Sequence, residues 1–232
     1  NIDVKYAQSV GITVYNTPDV VTNSTADLTF AILLSLIRKI SFASEFVRKG
    51  KWKAWDPELF LGEELSGKVF GILGFGKIGQ AVAQRAVGFG LNIIYYNHSK
   101  KDVESFFSSY VRPVSLNELL ETSDYLSIHL PLTDETEGFI NMHTINRMEK
   151  KPIVLNIARG GIIDTDDLVE ALKSGKIRGA GLDVTSPEPL PGDHPLCHLD
   201  NCIVVPHIGT ATQECRNNMA RLAAQNIINH FS

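Results

Sequence analysis

Residues 68–79 read Lys-Val-Phe-Gly-Ile-Leu-Gly-Phe-Gly-Lys-Ile-Gly, and they leave the chain few ways to fold. Val69 to Leu73 is a short apolar run of the kind that makes a buried parallel strand. Gly74, Gly76 and Gly79 follow in G-x-G-x-x-G spacing, and Lys77 to Phe89 reads as a helix. In such a turn the first glycine allows the tight exit from the strand and the second leaves room for a pyrophosphate. The third lets the helix pack close to the sheet. An anion would then lie at the helix N-terminus, against free N–H groups and the positive dipole end. Three glycines in an ordinary strand–helix turn would look the same, so the loop gains meaning only from the rest of the chain.

From Lys68 onward apolar runs alternate with helical patterns. The pattern predicts strands at Val69–Leu73, Asn92–Tyr96, Tyr125–Leu130, Ile153–Ile157, Ala180–Val184 and Ile203–Val205. Helices are expected at Lys77–Phe89, Leu116–Thr122, His143–Met148 and Asp164–Ser174, with a last one from about Thr212 to His230. Continuous apolar strands between helices imply an α/β domain with a doubly wound parallel sheet, whose ligands bind at the carboxyl ends of the strands. Ahead of it, Asn1 to Val10 reads as a short helix stopped by Gly11, and Ile12 to Tyr15 as a strand. Ser24 followed by Asp27 resembles a capping box opening a core helix over 24–40. Residues 50–67, with Trp52 and Trp55, read as an irregular arm.

Composition removes several classes. A formal net charge of −4 gives no reason to expect nucleic acid or an anionic membrane as partner. The apolar stretch Leu28 to Ile37 is broken by Thr29 and Ser35 and falls short of the roughly 20 residues of a membrane span. Cys197, Cys202 and Cys215 are odd in number and form no C-x-x-C, so neither a disulfide framework nor a zinc site is indicated. A reducing, cytoplasmic compartment is expected.

The polar residues just past the strand ends are the candidates for chemistry. After Asn92–Tyr96 come Asn97, His98, Ser99, Lys100 and Lys101. An acid at the end of this strand hydrogen-bonds the ribose 2′-OH in NAD enzymes. Asparagine followed by neutral and basic residues would instead accept a 2′-phosphate, which points to NADP(H), with NAD(H) possible. The same lysines also fit a plain solvated loop. Arg159, beside Gly160 and Gly161, could grip a carboxylate with its planar fork, although a lone arginine is more often a surface ion pair. Glu188 sits between two prolines, and His207 stands between a strand and a helix. Any single histidine is more often structural than catalytic, but three such groups around one crevice form a set.

At this point the segments GILGFGKIGQAVAQR, NIARGGIIDTDDLVEAL, GAGLDVTSPEPLP, HPL and VPHIGTAT resemble the NAD(P)-dependent D-2-hydroxyacid dehydrogenases. The TSPEPLP wording is most similar to their glyoxylate/hydroxypyruvate reductase branch. The resemblance implies a Rossmann-type NAD(P)-binding domain and carries three roles onto this chain. Arg159 binds the substrate carboxylate, His207 exchanges a proton with the substrate oxygen, and Glu188 pairs with His207. It also implies a cofactor site. The backbone of Gly76, Lys77 and Ile78 meets the pyrophosphate, in a cofactor loop that Gly74 and Gly79 shape. Asn97, His98, Ser99 and Lys100 face the adenosine ribose, and Pro131 lies on the adenosine side. Ile157, Asp183 and Gly209 surround the nicotinamide.

The family's plan adds a domain organisation. Residues 1–16 are expected to be a remnant of a substrate domain, 17–209 the cofactor domain, and 210–232 a helix returning towards the substrate domain. Residues 24–62 are the expected homodimer contact, and a small 2-keto or 2-hydroxy acid is the expected partner. A substrate domain is expected ahead of Asn1, and without it the chain could bind nucleotide and turn over poorly. Related plans also serve phosphoglycerate and other D-hydroxyacid dehydrogenases, and corepressors that keep the same Arg/Glu/His set. The formate-oxidising members carry Gln where this chain has Glu188, which disfavours that activity.

Overall fold

The computed structural model describes residues 2–98 and 109–232. Among them the strands β1 (Val69–Leu73), β2 (Asn92–Tyr96), β3 (Val111–Pro113), β4 (Tyr125–Ile128), β5 (Ile153–Asn156), β6 (Gly179–Leu182) and β7 (Cys202–Val204) form one sheet. Its order is β3-β2-β1-β4-β5-β6-β7, and every pair is parallel. The chain therefore winds outward from β1 to β3, returns across the sheet to β4, and winds outward again. The reversal falls between β1 and β4, the switch point at which doubly wound sheets open a crevice for ligands.

Strand alternation divides the apolar residues between two cores. Phe70 and Ile72 of β1, Tyr125 of β4 and Leu155 of β5 pack with Phe30 and Leu33 of α2 (Thr22–Ile37) and Val82 and Ala86 of α4 (Lys77–Gly88). Leu73, Ile128, Val154 and Leu182 face the other side. There they meet Leu119 and Leu120 of α5 (Leu116–Thr122) and Leu168 and Leu172 of α7 (Thr165–Ser174). Each such side chain, fully buried, contributes about 1.5–3 kcal/mol, so both faces must be covered for the sheet to be stable. Gly181 marks where α2 lies closest, since a Cβ there would run into the Ile32 side chain.

Several expectations from the sequence change. Ile12–Tyr15 joins no strand, and only the short helix α1 (Val4–Ser9) precedes it. The capping box at Ser24 is absent. Helix α2 begins at Thr22 without a side-chain cap, the Ser24 hydroxyl donates to the Gly209 carbonyl at 2.6 Å, and Asp27 pairs with Arg85 at 2.5 Å. The helix expected over 24–40 is two helices. Lys39 takes a left-handed φ of 53° and breaks α2 from α3 (Ile40–Arg48). Helix α6 is also shorter than expected, Met142–Ile145, opened by a capping box between Asn141 and Thr144. The edge strand β3 has no counterpart in the sequence reading.

Strands β4 and β5 stop before their apolar runs do: the His129 N–H makes a last bond to the Leu73 carbonyl at 2.7 Å, and His129, Leu130 and Ile157 line a cavity. Helix α8 (Gln213–Phe231), capped by Thr212, folds back to the first residues of the chain. The Tyr15 hydroxyl lies 2.8 Å from His230 Nδ1, and Asn226 Nδ2 donates to the Asn16 carbonyl at 3.1 Å.

The arm at 50–67 is irregular as expected, and Trp52 and Trp55 stand in solvent. Its root is clamped to the amino-terminal edge of the sheet. Glu63 forms an ion pair with Arg178 and accepts the Tyr125 hydroxyl at 3.2 Å. Arg178 also donates to the carbonyls of Asp124 and Lys151, both at 3.0 Å. Burial first, then the Glu63 charge, pushes the Tyr125 phenol up to about 12. Among the described residues no helix is long and apolar enough to cross a membrane.

Candidate active site

The glycine loop is built as the spacing predicts. Gly74 has φ +97°, and a Cβ there would stand 2.7 Å from the His129 carbonyl oxygen. At Gly79 a Cβ would strike the Gly74 carbonyl, so the glycine sets how closely α4 approaches β1. Around Gly76 the space is open. The Asn97 side-chain oxygen Oδ1, just past β2, accepts the Phe75 N–H at 2.9 Å and ties the loop to the neighbouring strand.

A cavity of about 630 Å³ opens at the carboxyl ends of the strands and is lined by Ile78, Ile157, Arg159, Asp183, His207 and Gly209. Sequence reasoning placed all six in the site. Arg159 follows β5 on a turn stapled by the buried Asn156. That side chain donates to the Arg159 carbonyl at 2.9 Å and accepts the Ala158 N–H at 3.1 Å. Gly160 is forced by crowding, because a Cβ there would overlap the Thr185 carbonyl. The arginine turn therefore rests directly on the segment that carries Glu188.

His207 Nδ1 lies 2.6 Å from Glu188 Oε1, and the carboxylate's other oxygen accepts the Thr185 N–H at 3.3 Å. With Nδ1 turned to the carboxylate, the proton on that nitrogen is fixed and Nε2 is left for the cleft. Partial desolvation raises the Glu188 carboxyl, but hydrogen bonds from His207 and Thr185 and the charges of His207 and Arg159 outweigh it. The carboxyl titrates below its ordinary value. Asp183 is almost fully buried, and its two oxygens accept the N–H groups of Ile208 at 2.6 Å and Gly209 at 2.9 Å. Burial raises this carboxyl against the opposing pull of those amides. Its backbone carbonyl accepts the His207 N–H at 2.9 Å, so one residue holds the whole histidine turn, which includes His207 at φ 52°.

The remaining candidates lie outside the cavity. Gly74, Gly76, Lys77 and Gly79 form the loop beside it, and Lys77 Nζ pairs with Asp19 at 2.6 Å. His98 is exposed at the end of β2, while Ser99, Lys100 and Lys101 fall outside the described residues. Pro131 is exposed after β4, with its carbonyl accepting the Thr136 hydroxyl at 2.6 Å. Sequence reasoning missed Thr17, Thr25, His129, Arg216 and Met219, which also line the cavity. Arg216 had one available signal, its place one helical turn beyond the Thr212 cap.

These residues fit a dinucleotide. Helix α4 opens at Gly76 with no side-chain cap, which leaves its first amides for a phosphate. His129 keeps one buried ring nitrogen without a partner among the described residues, the kind of atom a bound group completes.

Comparison with known proteins agrees with this geometry. The family described as D-isomer specific 2-hydroxyacid dehydrogenase, NAD binding domain, matches residues 30–209. The glyoxylate reductases of Korarchaeum cryptofilum and Pyrococcus furiosus are 46% and 48% identical over 98% of this chain, which spans 69% and 68% of their lengths. The crystal structure of the TT0316 protein from Thermus thermophilus superposes with a TM-score of 0.91 at 45% identity, covering 98% of this chain and 71% of that one. An acyclic imino acid reductase solved with NADPH and D-Arg superposes at 0.88 with 32% identity, covering 99% and 72%. The chain belongs to the D-isomer specific 2-hydroxyacid dehydrogenases, and residues 30–209 are its NAD-binding domain.

Proposed function

We propose that this chain reduces a small 2-keto acid, glyoxylate or hydroxypyruvate, to the 2-hydroxyacid with NADPH. The observation that carries the reading is the convergence of Arg159 and the Glu188–His207 pair on one cleft beside the glycine loop. The reduced nicotinamide, when bound, supplies a hydride to the carbonyl carbon. Arg159 holds the carboxylate and draws electron density from the adjacent carbonyl. His207 gives the proton on Nε2 to the carbonyl oxygen as charge builds there, and is left neutral with Nδ1–H facing Glu188. Asp183 keeps the histidine turn in place through both of its carboxylate oxygens.

The NADPH preference is supported by Asn97 and His98 at the end of β2, where an acid would repel a 2′-phosphate. Residues 1–16 and 210–232 belong with a substrate domain, a reading supported by the bonds from Tyr15 and Asn16 to α8. Residues 24–62 pair two copies into a homodimer, supported by Trp52 and Trp55, which leave a large apolar surface open.

NADPH oxidation with glyoxylate and hydroxypyruvate tests the reading. Turnover in the wild type and its loss by ~10²–10⁴ in His207→Ala are expected, as for removal of a general acid. No turnover with either acid would overturn it.

A further inference from the structure

The cleft holds a second guanidinium that this mechanism does not use. Arg216 on α8 lines the same 630 Å³ cavity as Arg159 and His207. Among the described residues it makes no ion pair. Asp183 is the one acidic residue in the cavity lining, and both of its oxygens already hold backbone amides. Glu188, just behind, is taken by His207 and Thr185. The cleft thus carries two cations and no uncommitted anion. One 2-keto acid carboxylate answers Arg159 and leaves the exposed Arg216 guanidinium to meet a second oxygen of the ligand with its planar fork.

The root of Arg216 is fixed. Its N–H donates to the Thr212 carbonyl at 3.0 Å, and Thr212 Oγ1 caps the helix through Cys215 N at 3.1 Å. The adjacent Cys215 is buried with its sulfur 3.5 Å from the Val20 carbonyl. Only the side chain has to be ordered when a ligand arrives, so a contact there loses little to entropy.

We infer that Arg216 is a specificity-determining residue that binds an oxygen substituent on C3 of the substrate. It favours 2-keto acids bearing a C3 hydroxyl or a further carboxylate over glyoxylate, which has no C3. The inference rests on the proposed reduction, and two kinds of measurement separate them. In turnover, Arg216→Met is expected to lower the ratio of kcat/KM for hydroxypyruvate to that for glyoxylate about tenfold or more, chiefly through KM. That is the scale of one hydrogen bond to a charged group. Arg216→Lys should recover part of the ratio. In binding, calorimetry on the chain saturated with NADP⁺ should show D-glycerate held more tightly than glycolate, and Arg216→Met should erase the difference.

An unchanged substrate ratio, or equal losses for both acids, would overturn the assignment. Weaker NADPH binding in Arg216→Met, read by nucleotide fluorescence, would overturn it too and move the residue to the pyrophosphate. A glycerate preference that follows Arg216 in a chain without turnover would keep the inference and sink the reduction.

Discussion

Glu188 Oε1 and His207 Nδ1 stand 2.6 Å apart, with the carboxyl held below its ordinary value of 4.5. The sign is that of a carboxylate stabilised in the folded state. The interaction is complete above pH 4.5 and is lost as the pH falls through the lower folded value. Acidification from neutrality to pH 5 should therefore leave the pair intact.

Glu188→Gln keeps a hydrogen bond to the imidazole and removes the charge. Reduction should slow about tenfold, the scale of one charge-assisted contact, and the alkaline limb of its pH–rate profile should move to lower pH. A profile that overlays the wild type would show that the carboxylate does not assist proton donation.

Burial depresses the His129 imidazole from 6.5 to about 4. Above pH 6.5 neither the folded nor the unfolded chain holds this proton. Between 6.5 and 4 only the unfolded chain takes it up, so stability falls with pH across that window by about 3 kcal/mol. Urea titrations of wild type and His129→Asn at stepped pH should converge as the pH drops. Parallel curves would mean that the ring is protonated in the fold.

An aspartate at position 97 can keep the bond to the Phe75 N–H that Asn97 makes at 2.9 Å, so the glycine loop should survive Asn97→Asp. The added charge would face the ribose region and raise the NADH-to-NADPH ratio of kcat/KM by about tenfold or more. Steady-state kinetics with both nucleotides would reveal it, and an unmoved ratio removes the electrostatic basis for NADPH preference.

Gly79→Ala places a methyl against the Gly74 carbonyl, which belongs to backbone and cannot swing aside. The strain of overpacking is about 1–3 kcal/mol, and it falls on the glycine loop proposed to hold the cofactor. A lower Tm together with weaker NADPH binding is expected from calorimetry. Normal binding in a destabilised protein would separate the loop from the cofactor.

Thiol labelling should divide the cysteines. Cys197 is exposed, whereas burial chiefly, with Cys197 nearby, raises the Cys202 thiol to about 12. Iodoacetamide at pH 8 should modify Cys197 in the native chain and reach buried Cys202 and Cys215 only after denaturation, as read by mass spectrometry.

Local signals carried the sequence reading where the structure is local. The run from Val69 to the end of α4 combines an apolar strand, spaced glycines and helical periodicity, and each signal lies within a few residues of the others. The same logic fails where a partner comes from far along the chain. Ser24 looked like a cap because its hydroxyl has that capacity, yet it serves Gly209, 185 positions away. Lys39 breaks a helix with no glycine or proline to announce it. Strand β3 is three residues long and ends in Pro113, too short for an alternation to register. At the site, Arg159, Glu188 and His207 were legible because each follows a strand. Arg216 and Met219 were not, since they enter the cleft only when α8 folds back across it.

Helix α2 touches both the histidine turn and the root of the tryptophan arm. Near its first turn Ser24 holds the carbonyl of Gly209, two residues from His207. At its far end the Ile37 carbonyl accepts the N–H of Glu63, the residue that clamps the tryptophan arm to the sheet. Sixteen residues at 1.5 Å each make this a strut of about 24 Å with a load at either end. A bundle of buried side chains keeps it from bending between them. Whatever seats the arm thereby also sets the height of the histidine turn, along a single straight member with no loop in it.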